Sequence, residues 1–401
     1  MSLQTTRSIE LDATKCTGCK ACLYACRQGA IFFETADDGY IYPKINNGDC
    51  VKCGQCIKVC PSQNQYIGSN VKSTYASRCN SEAIVKNSSS GGVFTVLAKN
   101  IIESNGVVYG VGIDTTARVC YKRIITIESI AELRGSKYVQ SDIDIEIIDE
   151  FIQDMCSGRI VLFVGTPCQV AGIKAICKLR KIDDSKLYTV DLLCAGGTSP
   201  KIWGDYVKHL GLQGKEYNTA TFRDKKKGWR DSCVAVGTEE EKKEELLACS
   251  QIGKFFFMDE TKREACIKCK YRSMERVGDI SLGDWWNEIY CPAKWRDNKG
   301  ISKVFVNSAK GKALFDKTNE EIESVPMELG KANCNVTESS KLSDVSDARE
   351  RFWNEYLNNG YDHMVDKYCR VSIKDIILWR VVRPILIKTR LIGLVSYMIT
   401  R

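Results

Sequence analysis

The chain has 401 residues, of which 44% are hydrophobic and 27% charged, with a formal net charge of +8. These are the proportions of a soluble globular protein with room for a substantial core and one or two smaller modules. So modest a positive charge does not by itself suggest nucleic acid, and the 21 cysteines are the feature that needs a cause. The opening MSLQTTRSIELDATK lacks the apolar stretch of a secretory signal. Oxidative export is therefore not indicated, and metal ligation or redox chemistry is expected ahead of a disulfide framework.

Residues 16–26 read CTGCKACLYAC and residues 50–60 read CVKCGQCIKVC, followed by Pro61. Four thiolates spaced C-x2-C-x2-C-x3-C wrap a cubane iron–sulfur cluster, and here the pattern occurs twice. Pairs of the C-x2-C type also suit tetrahedral zinc, but two matching quartets make zinc the lesser alternative. The stretch 5–70 resembles a bacterial two-cluster ferredoxin. That resemblance implies crossed ligation: one [4Fe-4S] cluster on Cys16, Cys19, Cys22 and Cys60, the other on Cys50, Cys53, Cys56 and Cys26. Arg27 stands where that family usually has proline, whereas Pro61 keeps the pattern. A module of this kind, placed at residues 1–70, carries single electrons and offers no substrate chemistry of its own.

From residue 71 the pattern alternates. A helix is expected within 90–106, strands over 107–113 and 118–126, a helix over 146–157, and a buried strand over 159–165. A helix over 167–181 follows with Pro167 in its first turn, then a strand over 186–194 and a helix over 199–210. This succession argues for a parallel or mixed sheet covered by helices. The expected fold is thus a small ferredoxin-like α+β module, a larger mixed α/β domain over 71–345, and a helical extension over 346–401. The charged run EEEKKEELL (239–247) reads as an exposed helix.

Cys168 ends one predicted strand and Cys194 the next, and ligands gather beyond the carboxyl ends of strands in such sheets. Cys266 and Cys269 form a further C-x2-C pair, so four thiols are available for a third cluster. As a nucleophile Cys168 would want a histidine base, and only His209 and His363 exist, neither in an evident motif. A helix N-terminus still lowers a thiol pKa, and an isolated cysteine is by default a core residue. The residues alone leave ligand and core thiol level.

The motifs SGG (90–92), GSKYVQSD (135–142), GTPCQVAGI (165–173), DLLCAGG (191–197), FRDKKKGW (222–229) and GDISLGDWW (278–286) occur together and in order. As an ensemble over 75–300 the chain resembles the beta-subunit family of coenzyme F420 hydrogenases and dehydrogenases, to which 7-hydroxymethyl chlorophyll a reductase is also similar. The resemblance implies FAD and an iron–sulfur cluster in this domain, often behind a ferredoxin module. Cys168, Cys194, Cys266 and Cys269 then become the ligands of a third [4Fe-4S] cluster.

It also implies flavin contacts at Ser90, Gly91 and Gly92, where glycines and a helix start would let backbone N–H groups approach a pyrophosphate. Lys137, Tyr138, Gln140 and Ser141 would form one wall, with Asp279, Gly283 and Asp284 orienting the cofactor. A flexible cap, a surface loop and a strand-to-turn transition are the plainer readings of these three sets. Arg223, Lys225, Lys226, Lys227 and Arg230 flank Phe222 and Trp229. Such a run is a solvated face, or receives an anionic planar ligand such as a deazaflavin or an acidic partner protein; no RNA-binding motif accompanies it.

The last segment is apolar but broken by Arg380, Arg383, Lys388, Arg390 and Pro384, and has no uninterrupted run of the ~20 residues that span a bilayer. Lying on the inner face of a membrane, covering the core and forming a homo-oligomer contact are its three readings. Nine cysteines (Cys79, Cys120, Cys156, Cys177, Cys233, Cys249, Cys291, Cys334 and Cys369) default to the core. The expected function is a cytoplasmic iron–sulfur flavoprotein oxidoreductase. It would couple hydride exchange at FAD, with coenzyme F420 or another organic substrate, to electron transfer through three clusters and a partner such as ferredoxin or another oxidoreductase subunit. Catalysis would need no side-chain base. The alternatives are an electron-transfer adaptor subunit without an organic substrate, and transferase chemistry at Cys168.

Overall fold

The computed structural model describes residues 11–64, 68–212, 214–217, 219–238, 240–332 and 343–370, and beyond them 382, 385, 386 and 389. The N-terminal module is built twice on one backbone plan. Helix α1 (Ala21–Ala25) carries Cys22, a hairpin of β1 (Ile31–Thr35) and β2 (Ile41–Ile45) follows, and α2 (Gln55–Val59) carries Cys56. Positive φ recurs at matching places in the two cysteine runs: Gly18 (74°) and Lys20 (60°), then Lys52 (56°) and Gly54 (72°). These left-handed residues turn the chain sharply within each run, and a lysine occupies one of the two positions each time at a modest strain cost.

Strand β3 (Ser69–Asn70) leaves the module, and β4 (Ser73–Cys79) enters the main sheet. Helices α3 (Glu82–Lys86) and α4 (Val93–Glu103) lead to β5 (Val107–Ile113) and β6 (Val119–Ile124). After α5 (Ile130–Leu133) and α6 (Ile145–Cys156) come β7 (Val161–Gly165), α7 (Pro167–Arg180), β8 (Leu187–Leu192) and α8 (Pro200–His209). A small sheet holds β9 (Thr219–Asp224), β10 (Cys233–Gly237) and β11 (Lys242–Leu246). Then follow α9 (Gln251–Phe257), α10 (Glu264–Ile267), β12 (Glu275–Arg276), β13 (Ile280–Asp284), β14 (Ser302–Val306), α11 (Ala309–Asp316), β15 (Ile322–Met327) and α12 (Ser343–Tyr368). Strand β12 pairs with β3, tying the start of the large domain to its C-x2-C region.

The main sheet has the order β15-β4-β14-β13-β8-β7-β5-β6. Its centre, β13-β8-β7-β5, is parallel and its flanks are antiparallel. Both faces are covered, which is why β7 is buried at all five residues and reads as a continuous apolar run. On one face Val96, Leu97 and Ile101 of α4 pack on Val108, Leu162 and Val190. On the other, Ile148 and Phe151 of α6 and Val170 and Ile173 of α7 pack on Tyr109 and Phe163, and Cys19 and Ala21 of the N-terminal module join them. The expected small module and mixed α/β domain are both present.

Two sequence expectations change. Within the run 239–247 the described residues, 240–247, form no helix: Lys242–Leu246 pairs antiparallel with β10 at the edge of the small sheet. The wholly buried, β-branched strand beside it imposes strand geometry, and lysines and glutamates on an edge strand discourage further pairing. The C-terminal extension, as far as residue 370, lies on the protein: Phe352, Trp353, Tyr356 and Met364 of α12 are buried with Trp203, Ile252 and Phe255. Each such side chain contributes ~1.5–3 kcal/mol of burial. Arg380, Arg383, Pro384, Lys388 and Arg390 lie outside the described residues, as does Cys334. Among the described residues no helix is long and apolar enough to cross a membrane.

Candidate functional site

Four thiols from three distant stretches come within electrostatic reach of one another near the carboxyl ends of β7 and β8. Cys168 sits in the first turn of α7, whose start is fixed by Gln169: its Oε1 accepts from Thr166 N–H (3.1 Å), Thr166 Oγ1 (2.8 Å) and Tyr121 OH (3.0 Å). Pro167 opens the helix and Thr166 Oγ1 lies 3.2 Å from Cys168 Sγ. Gly165 admits no side chain, because a Cβ there would fall 2.0 Å from Tyr121 Oη. Cys194 follows β8 by two residues, and its Sγ accepts from Gly196 N–H at 3.3 Å. Cys266 lies in α10 and Cys269 just after it.

An ion pair locks these pieces together. Arg276 and Asp191, 2.7 Å apart, have side chains only 1% and 0% exposed. Arg276 also donates to Tyr271 O and Ser273 O, and Asp191 accepts from the N–H groups of Val277 and Gly278. The loop carrying Cys266 and Cys269 is thereby anchored to the strand that delivers Cys194.

Burial pushes the Cys168 thiol well up, and the neighbouring charges of Cys269, Cys194 and Cys266 push it further. Burial also raises Cys194, and takes Cys266 up to about 12, with the other thiols of the set adding to both. The four sulfurs are half-buried and ionise against one another's charge, and a cationic centre would stabilise them together as thiolates. That donor set fits a metal cluster. Among the described residues no three His, Cys, Asp or Glu side chains crowd closely enough to share a single ion. His209 pairs with Asp362 and His363 with Glu355, so neither imidazole serves Cys168 as a base.

In the N-terminal module, Cys16, Cys19, Cys22 and Cys60 line one small void. Burial raises Cys16, Cys19 (to about 12) and Cys22, and each feels the charge of Cys60. Cys56 feels Cys50 and Cys53 and packs in one apolar cluster with Cys22 and Cys26. The first set is largely buried, whereas Cys53 is exposed.

The two regions touch where the sulfurs are. A Cβ on Gly172, one turn beyond Cys168, would lie 2.7 Å from Cys19 Cβ and 3.2 Å from its Sγ. Only glycine lets helix and thiol approach so closely. Tyr271 is buried and feels both Cys168 and Cys19. Lys20 Nζ pairs with Asp142 (2.9 Å) and donates to Ile143 O (2.7 Å). Arg263 donates to Cys16 O, Ile41 O and Gln140 Oε1. Lys270 donates to Asn64 O (2.7 Å) and to Pro61 O.

The residues expected at a flavin divide into three groups. Tyr138 and Asp284 converge on Arg223, with Lys225 beside it, whereas Lys137 donates to Leu133 O (3.0 Å) and Arg134 O (2.8 Å). Arg223 donates to Tyr138 Oη (3.0 Å), Asp284 (2.9 Å) and Ser89 O (3.2 Å), and Lys225 donates to Ser90 O (2.8 Å) and Lys299 O (2.6 Å). Burial lowers Lys137 and Lys225 to about 7. Ser90, Gly91 and Gly92 adjoin this wall, but the glycines serve packing: Gly91 N–H donates to Ser302 Oγ (2.9 Å), and a Cβ on it would meet Ser77 O at 2.4 Å. Gly283 likewise makes room for Leu193, whose Cδ1 would sit 2.7 Å from an added Cβ.

Gln140 and Ser141 belong to a second group, facing a cleft of ≈ 990 Å³ between the hairpin turn of the N-terminal module and the large domain. Tyr40, Arg118, Trp203 and Arg263 also line it. Asp279 stands apart, at the amino end of β13. Its carboxylate accepts from Thr189 N–H (2.9 Å), Thr189 Oγ1 (2.7 Å) and Ser308 Oγ (2.6 Å), joining β8 to the start of α11. The basic run also divides: Arg223, Lys225, Phe222 and Trp229 are buried, and Lys226 and Lys227 are exposed. Trp229 stacks on the exposed Trp286 at 4.3 Å.

Sequence reading passed over Arg263, Gly172, Tyr271 and the Asp191–Arg276 pair. Arg263 carried one available signal, its place three residues before Cys266. Of the nine unassigned cysteines, Cys79, Cys120, Cys177, Cys233, Cys291 and Cys369 are buried as expected, Cys249 is half-buried and Cys156 is exposed.

Comparison with known proteins gives three family matches. Residues 74–144 match the N-terminal domain of the coenzyme F420 hydrogenase/dehydrogenase beta subunit, residues 158–329 match the C-terminal domain of that same family, and residues 15–64 match a 4Fe-4S dicluster domain. Among solved structures, a chain of the F420-reducing [NiFe] hydrogenase complex from Methanosarcina barkeri, studied by xenon derivatization, is similar at 20% identity and a TM-score of 0.44, over 74% of this chain and 92% of that one.

Proposed function

The chain belongs to the coenzyme F420 hydrogenase/dehydrogenase beta-subunit family, both of whose domains it carries behind a 4Fe-4S dicluster domain, and we propose that it is an iron–sulfur flavoprotein oxidoreductase. When bound, a flavin exchanges hydride with an organic two-electron partner, and iron–sulfur clusters carry electrons singly. The observation that carries this reading is that Cys168, Cys194, Cys266 and Cys269 lie within electrostatic reach of one another, one helical turn from the place where Gly172 lies against Cys19.

In this reading the four thiols hold a third cluster, Cys16, Cys19, Cys22 and Cys60 hold the one beside it, and Cys50, Cys53, Cys56 and Cys26 hold the outermost. The series then has a half-buried end in the large domain, passes the buried Cys19 and Cys22, and reaches an exposed end at Cys53, where a redox partner protein would dock. FAD would lie along the carboxyl edge of the sheet. Gln140 and Ser141 would meet it from the cleft, and Tyr138, Lys137, Ser90 and Asp284 from the basic wall beside it. Two observations fit a flavin. The cleft is at the upper end of the size of small-molecule sites, and Arg223 Nε and Trp229 Nε1 are buried donors without an acceptor among the described residues. The protein's part is to place charges and exclude water, with no side-chain base assigned.

Replacing one ligand tests the assignment. Cys168→Ser, purified without oxygen, is expected to lose about four irons per chain relative to the wild type. Full iron with abolished turnover would instead make Cys168 a nucleophile.

A further inference from the structure

Arg263 is 1% exposed, and its acceptors are all neutral: Gln140 Oε1 (3.0 Å), Cys16 O (3.1 Å) and Ile41 O (2.9 Å). Among the described residues no carboxylate pairs with it. A buried guanidinium without a counter-ion is costly, and such charges persist in proteins when something anionic compensates them. Its surroundings name the candidates. Arg263 is bonded to the backbone of Cys16, and its own carbonyl accepts from Cys266 N–H at 2.8 Å.

The guanidinium is also rigid. Tyr40 and Tyr42 hold it between rings at 4.9 and 4.5 Å, and Gln140 clamps it by bonding Arg263 Nε on one side and Thr17 O (3.1 Å) on the other. Three stretches of chain, at 16–17, 40–42 and 140, thus fix one positive charge between two sulfur sets, one in the N-terminal module and one in the large domain. A cluster bound by four thiolates is net negative and gains negative charge on reduction. A fixed cation beside it therefore favours the reduced form, and does so strongly where water is excluded.

We propose that Arg263 is the shared counter-charge of the Cys16/Cys19/Cys22/Cys60 and Cys168/Cys194/Cys266/Cys269 clusters, a positioning residue that raises the reduction potential of both and keeps them matched for electron exchange. The proposal rests on the cluster assignment above but not on the flavin. The Cys50/Cys53/Cys56/Cys26 set has no contact with Arg263 and serves as the internal reference.

The test is a reductive titration of the full chain followed by electron paramagnetic resonance, alongside iron and sulfide analysis. Arg263→Gln should keep its iron and shift the reduction equilibrium of the two adjoining clusters at least tenfold toward the oxidised form, about 59 mV for a one-electron couple, with the outer cluster unmoved. Arg263→Lys should recover most of that shift. Where Arg263→Gln loses iron, Gln140→Glu decides: it leaves the arginine in place but neutralises it, and should move the same two potentials downward. Retained iron with unmoved potentials in these variants would overturn the proposal, as would an equal shift of all three clusters. Absence of the third cluster from the wild type would instead refute the assignment on which the proposal rests.

Discussion

Asp191 and Arg276 have no water to fall back on, so losing one partner leaves the other charge stranded in the core. Asp191→Ala should cost about 3–5 kcal/mol in urea unfolding, far above the ~1 kcal/mol of an average substitution. A loss under 1 kcal/mol would mean that the pair does not anchor the Cys266–Cys269 loop. The pair was not legible in the sequence, since 85 positions separate the partners and no short motif joins them. The cysteine spacing, by contrast, was legible because cluster geometry is local to each run. Arg223 and Lys225 misled for a related reason. A run of charges reads as a solvated face, and only loops at 90 and 299 and the end of β13, brought in from elsewhere, supply the carbonyls and Asp284 that accept them in the core.

At the scale of elements, helix α7 does two things. Its first turn presents Cys168, and its second offers Gly172 to the N-terminal module. Gly172→Val would press a branched side chain onto Cys19 and should destabilise the docking by about 1–3 kcal/mol of overpacking. The expected readout is faster loss of iron to a chelator. Gly204→Ala is the contrast: a Cβ there meets nothing within 4 Å, and alanine in mid-helix should gain up to about 1 kcal/mol. Equal effects from the two substitutions would contradict the assigned contact. The helices and strands of the parallel centre follow their apolar periodicity, so this part of the fold was readable. Strand β11 was not, because its identity comes from the neighbouring buried strand and not from its own charged residues.

Across the whole molecule, the N-terminal module is no tethered carrier. Lys20, Tyr24, Tyr40, Arg263 and Lys270 bind it to the large domain, and Arg349 of α12 reaches Asp38 in its hairpin turn at 2.5 Å. The sequence predicted both modules, but not which surfaces meet, because the contacts are single side chains that reach carbonyls and carboxylates far away along the chain. In the proposed assignment the three thiol sets lie in series, from the sheet edge through Cys19, against which Gly172 packs, to the exposed Cys53. The measurement that bears most directly on this account is the iron, sulfide and released flavin per chain of the protein purified without oxygen. About twelve irons with about one FAD are expected from three four-iron clusters and one flavin site. About eight irons and no flavin, unchanged after reconstitution, would contradict the account and leave an electron-transfer adaptor in its place.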